Sequence, residues 1–176
     1  MKSIRTSSGW PKQYFSFLEE CRGEVEIVTG NARLSLEHEP AQNYDVLVLD
    51  AFYSDAIPSH LLTEEAFEVY LRHLKSDGVF AMHISNLHLD LRPVMAGLAE
   101  RFHLSTPAIL SNKDESIETN RCLWQLLSRN AASLEGGISH NPTSQNSLPQ
   151  INRRTLWTDD RSNLIEILHQ HSPVAT

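Results

Sequence analysis

Tyr44-Asp45-Val46-Leu47-Val48-Leu49-Asp50-Ala51-Phe52-Tyr53-Ser54-Asp55-Ala56-Ile57-Pro58 joins an apolar run to an acidic loop. Its apolar run, 46–49, predicts a strand over 45–51. The unbroken Val/Leu character predicts burial on both faces, as in a parallel α/β sheet. The run ends in Asp50, a polar loop with a second acid, Asp55, follows, and a helix comes next. In open parallel sheets the carboxyl ends of the strands face the ligand crevice. Asp50 and Asp55 are therefore the first candidates for chemistry, and two acids on one loop point to a cationic substrate. Each has a plainer alternative: a strand-end Asp caps the next turn, and Asp55 can close the turn before Pro58.

Working outward, Pro11 opens a helix over 11–22, and residues 25–28 read as a short strand broken by Gly30-Asn31. A short helix over 32–39 follows. The clearest helix is 63–75, with Thr63 as N-cap and Ala66, Phe67, Tyr70, Leu71 and Leu74 as its core stripe. Asp77-Gly78 ends it, and 79–84 is the next strand, leaving Ser85-Asn86 at its tip on the crevice edge. A helix over 91–102 with Pro93 in its first turn, two strands at 104–110 and 121–128, and a last helix at 162–170 complete the list. Residues 1–9 read as frayed, and 130–155, rich in Ser, Asn, Gly, Pro and Gln, as a mobile loop. The alternation predicts an α/β doubly wound domain, and the last two strands, with no helix between them, an antiparallel edge pair.

The 176 residues predict one domain, 1–176. A formal net charge of -7 argues against general nucleic-acid binding. Cys21 and Cys122 form no metal or redox spacing and read as reduced thiols of a cytoplasmic protein. No apolar run reaches the roughly 18 residues of a spanning helix, and no apolar core follows the basic N-terminus, so neither membrane span nor signal peptide is expected. His60, His83 and His88 fall near the crevice edge, but no HxxxH or Cys/His cluster accompanies them, so no metal is expected. Ser85 lacks a surrounding G-x-S-x-G and is not read as a nucleophile. Trp157 with Asp159 and Asp160 either closes over the pocket, or packs on the sheet while one of the acids caps the last helix.

A nucleotide-binding α/β unit opens with a strand, a Gly-rich turn and a helix. This chain has seven glycines and no G-x-G. It begins where the second half of such a domain would begin, which predicts an N-terminally truncated domain. An exposed sheet edge and apolar face would follow, and with them self-association into a homo-oligomer.

Gly30-Asn31-Ala32-Arg33, the 44–50 strand, Asp55-Ala56-Ile57-Pro58-Ser59-His60-Leu61-Leu62-Thr63, His73-Leu74-Lys75-Ser76-Asp77-Gly78-Val79, His83-Ile84-Ser85-Asn86 and Trp157-Thr158-Asp159-Asp160-Arg161-Ser162-Asn163-Leu164 together resemble the spermidine synthase family. The resemblance is strongest to bacterial spermidine synthase-like proteins, some of which are fused to transporter segments. It implies a Rossmann-like, S-adenosylmethionine-dependent methyltransferase-type fold. It also implies transfer of an aminopropyl group from decarboxylated S-adenosylmethionine to putrescine in polyamine biosynthesis, with no metal. Asp50 matches the family's proton acceptor. Asp55 is the nearest match to its diamine-holding Asp, five residues on rather than three. Gly30, Asn31 and Ala32 match the segment beside the adenine, with Asn for the family's Asp. An Asn carboxamide still accepts from an amino group; Asn31 can equally be a turn or cap residue. The family's Gly-rich turn and N-terminal β-hairpin domain have no counterpart here. Two alternatives stay open: a catalytically inactive relative serving as an interaction domain, and a methyltransferase of the same superfamily.

Overall fold

The computed structural model describes residues 23, 25–50, 58–86, 88–111, 122–138 and 151–168. By internal contacts the chain forms two compact units, Met1–Pro40 and Ala41–Thr176. In the first, Asn31 starts helix α1 (Ala32–His38), its side-chain oxygen accepting from the Leu34 N–H at 3.2 Å. Gly30 ahead of it holds φ +133°, a conformation that residues with a Cβ rarely adopt. The strand predicted at 25–28 is absent: residues 25–29 have no regular structure. A strand exists only through pairing, and a short apolar run without a neighbour does not form one. The helix predicted at 11–22 lies outside the described residues.

The second unit carries a four-stranded sheet in the order β1-β2-β4-β3. Strand β1 (Tyr44–Leu49) runs parallel to β2 (Leu74–His83), with Val46 opposite Val79 and Leu49 opposite Met82. Helix α2 (Glu64–His73) makes the crossover between them. The register is interrupted between the pairs Tyr44–Leu74 and Val46–Val79; the helix expected to reach 75 ends at His73 and β2 begins at Leu74 rather than at 79, so Asp77-Gly78 lies within the strand. Strand β3 (Ala108–Ser111) pairs antiparallel with β4 (Cys122–Leu127), and β4 pairs antiparallel with β2. The late strands thus form the expected antiparallel pair, with β4 inserted beside β2 and β3 at the edge.

Local chemistry explains α2. Thr63 caps it, accepting from the Ala66 N–H at 3.3 Å, and Glu64 and Glu65 sit in the first turn with Arg72 and His73 in the last, complementing the helix dipole. Its apolar stripe buries Phe67 and Tyr70 against Phe80 of β2. The ring centroids lie 5.1 Å (Phe67–Phe80) and 5.4 Å (Tyr70–Phe80) apart. Each fully buried ring of this kind contributes about 1.5–3 kcal/mol through burial alone. The cluster therefore fixes the crossover helix on the sheet, and with it the β1–β2 pairing. Helix α3 (Arg92–Arg101), with Pro at its first turn, buries Val94, Met95 and Leu98.

Three expectations change. Strand β1 is not buried on both faces: Val46 and Val48 are 56% and 54% exposed. Strand β1 ends the described sheet, and no described element covers that face. The stretch read as a loop over 130–155 contains helix α4 (Ala132–Ile138), started by the Asn130 side chain accepting from the Ala132 N–H at 3.1 Å and anchored by buried Leu134. Its glycines and serines hid this helix from composition, while residues 139–150 lie outside the described set. The last helix is a single 3-10 turn, Leu164–Ile167, capped by Asn163.

Residues 151–157 run irregularly against α3, where the Thr155 N–H donates to the Pro93 carbonyl at 3.0 Å. The approach is closest at Gly97: a Cβ there would sit 2.3 Å from the Thr155 carbonyl oxygen. Alanine is the better helix former by about 1 kcal/mol, but this clash is with backbone and cannot be relieved by a rotamer change. Gly97→Ala is therefore expected to lower stability by about 1–3 kcal/mol, read from the urea midpoint at unchanged m-value. A stabilised variant would contradict this packing.

Candidate functional site

The parallel register builds the site. Leu49 lies opposite Met82, so the next residue of each strand, Asp50 and His83, meet at the shared carboxyl edge of the sheet. His83 Nδ1 is 3.0 Å from Asp50 Oδ1. On the other side of the ring, His83 Nε2 is 2.8 Å from Ser85 Oγ. Ser85 Oγ in turn accepts from the Leu123 N–H at 2.6 Å. The ring stacks on Trp124, its antiparallel neighbour on β4, at 5.0 Å between centroids.

For the neutral ring this chain of contacts favours one tautomer. A carboxylate only accepts, so the Nδ1 facing Asp50 carries a hydrogen. In the neutral imidazole Nε2 is then an acceptor, and the Ser85 hydroxyl donates to it. Exposure grades along the chain: the Asp50 side chain is 56% exposed and that of His83 only 23%. Among the described residues the second Asp50 oxygen has no hydrogen bond. The result is a carboxylate held by one oxygen, with the other presented at the strand tip.

Of the residues singled out from sequence, Asp50 stands at the tip as expected, and Ser85-Asn86 lies beside it. Asn86 shapes the turn that follows, its side-chain oxygen accepting from the His88 and Leu89 N–H groups at 2.9 and 2.8 Å. Asp55 lies outside the described residues. Gly30, Asn31 and Ala32 belong to the other compact unit, where Asn31 takes the capping role. Trp157 is buried and its carbonyl accepts from the Glu64 N–H at 2.8 Å. Asp159 accepts from the Thr63 hydroxyl at 2.7 Å, and its own N–H donates to Glu65 at 3.0 Å. This segment therefore ties down the start of α2 rather than capping the last helix. Among the described residues no group of three or more His, Cys, Asp or Glu side chains could hold a metal ion. Likewise, no helix there is long and apolar enough to cross a membrane.

Sequence reading passed over the His83 link. The signal was available: two apolar runs, 46–49 and 79–82, each end in a polar residue. Parallel neighbours that stop at one edge bring those residues together.

No family model and no curated protein matches the chain. Among solved structures it is similar to the spermidine synthase from Thermotoga maritima, with a TM-score of 0.52 at 18% identity over 85% of this chain and 53% of that one. It is also similar to a spermidine synthase in complex with the transition state analogue AdoDATO, with a TM-score of 0.55 at 18% identity, over 85% and 54% of the two chains. The chain thus has a Rossmann-like α/β fold. More narrowly, that fold is spermidine synthase-like, and the chain spans about half the length of the solved structures it matches.

Near the other end of β1, Lys75 pairs with Asp45 on the surface. The hydrogen bond from the ammonium, and then its charge, hold the Asp45 carboxyl below its ordinary range. A depressed folded-state pKa favours the fold above the ordinary carboxylate pKa, and that contribution is lost as pH falls through the depressed value. Both groups are solvent-exposed, so the effect on stability is small. In Lys75→Met the Asp45 titration is expected to move up toward the ordinary range, followed by carboxyl ¹³C shifts. An unmoved midpoint would mean that the pair does not persist in solution.

Proposed function

We propose that this chain carries the acceptor side of a spermidine synthase-like aminopropyltransferase site, acting on a diamine such as putrescine with decarboxylated S-adenosylmethionine as co-substrate. The observation that carries the reading is the half-exposed Asp50 carboxylate, held by His83 at the carboxyl ends of the parallel β1–β2 pair in a spermidine synthase-like fold.

The reaction is a displacement at the carbon next to a sulfonium, whose thioether leaving group departs readily. The protein's share is to align the amine and keep it neutral. In this reading the free oxygen of Asp50 accepts the attacking amine's proton, while Nδ1–H of His83 holds the carboxylate in one orientation. Asp55 binds the distal ammonium. Gly30, Asn31 and Ala32 contact the adenine, the Asn31 carboxamide being a group that can accept from its amino group. A polyamine-synthesis role in the cytoplasm belongs to the same proposal.

Calorimetry of the chain with methylthioadenosine and with decarboxylated S-adenosylmethionine tests it. Binding heat is expected at millimolar ligand, corresponding to about −4 kcal/mol or stronger. Asp50→Asn should abolish transfer to putrescine and spare most ligand affinity. Absence of heat would refute the aminopropyltransferase reading for this chain.

A further inference from the structure

The geometry points to a second chemistry at the same edge: Ser85 as a nucleophile, with His83 as its base and Asp50 as the residue that positions the imidazole. The substrate class is an activated carboxylic ester. This does not rest on the aminopropyl reading, since it uses Ser85 Oγ and His83 Nε2 rather than the free oxygen of Asp50.

A serine becomes a nucleophile when an adjacent base takes its proton and a third group orients that base. Such sites are recognised by geometry and roles, not by sequence motif. Here Ser85 Oγ lies 2.8 Å from His83 Nε2, and Nδ1 of the same ring lies 3.0 Å from Asp50. Both distances fall in the hydrogen-bond range that proton transfer requires. Stacking on Trp124 fixes the plane of the ring. The Leu123 N–H occupies one lone pair of Oγ at 2.6 Å. That contact leaves a second lone pair for attack and directs the O–H toward Nε2.

In the acylation step Oγ bonds to the ester carbonyl carbon and the Oγ proton passes to Nε2. The carbon–oxygen bond to the leaving group then breaks, and the departing alkoxide takes that proton. Water reverses the sequence on the acyl-serine, releasing the acid and restoring Ser85. The proposed row of Asp50, His83 and Ser85 includes no N–H donor for the tetrahedral oxyanion. One such donor is worth about 10²–10³ in rate, which limits the site to activated esters and excludes amides.

A fluorophosphonate probe reads this directly, because Oγ attack on phosphorus expels fluoride and leaves a stable adduct. Mass spectrometry of the labelled chain is expected to place a single adduct on Ser85. The adduct should be absent in Ser85→Ala, and its rate should fall at least tenfold in His83→Gln, with circular dichroism unchanged. The positioning role of Asp50 has its own readout. Imidazole ¹⁵N shifts should show His83 protonated at Nδ1 in the parent and at Nε2 in Asp50→Asn, whose carboxamide can donate to Nδ1. No adduct on the parent chain, an adduct elsewhere, or labelling of Ser85 that is indifferent to His83 would overturn the proposal.

Discussion

The pairing of β1 with β2 is the constraint on which the rest depends. It is parallel, and its register sets Leu49 opposite Met82. Shift that register by one residue and Asp50 no longer meets His83. The pairing is held by burial rather than by the polar contacts it creates. Phe67 and Tyr70 of the crossover helix close on Phe80 of β2, and each buried ring contributes about as much as the strongest single hydrogen bond at the tip. The polar edge is thus a consequence of an apolar core a few residues away.

Asp50 is joined to His83, His83 to Ser85, and Ser85 to the backbone of β4. Three strands therefore contribute to one hydrogen-bonded row. A row anchored on rigid strands keeps its geometry better than one built on loops. In the two proposals the row is met at its ends, at the Asp50 oxygen that makes no hydrogen bond among the described residues and at the Oγ of Ser85. They suit different partners: an amine that must lose a proton at one, an electrophilic carbonyl at the other.

Much of the fold was legible from sequence because its signals are strong and local. Thr63, the 66–74 stripe and the acid-first, base-last charge order specify α2 without tertiary help. The Val/Leu run specifies β1. The antiparallel pairing of β3 with β4 followed from two strands with no helix between them. What escaped the sequence depends on neighbours. Residues 25–29 have strand-like side chains and no described partner strand. The 132–138 helix is hidden by Gly and Ser. The exposure of Val46 and Val48 depends on which elements cover β1 and cannot be read from an apolar run. The candidate site divides in the same way: Asp50 was visible as a strand-end acid, whereas its link to His83 exists only through the register of two strands.

The proposed meeting of the Asp50 carboxylate with a cationic amine can be read from the ¹³C shift of that carboxyl during titration with 1,4-diaminobutane. The account predicts a saturable shift at millimolar diamine, absent when an uncharged diol of the same length replaces it. A carboxyl signal that stays fixed across the diamine titration would contradict it.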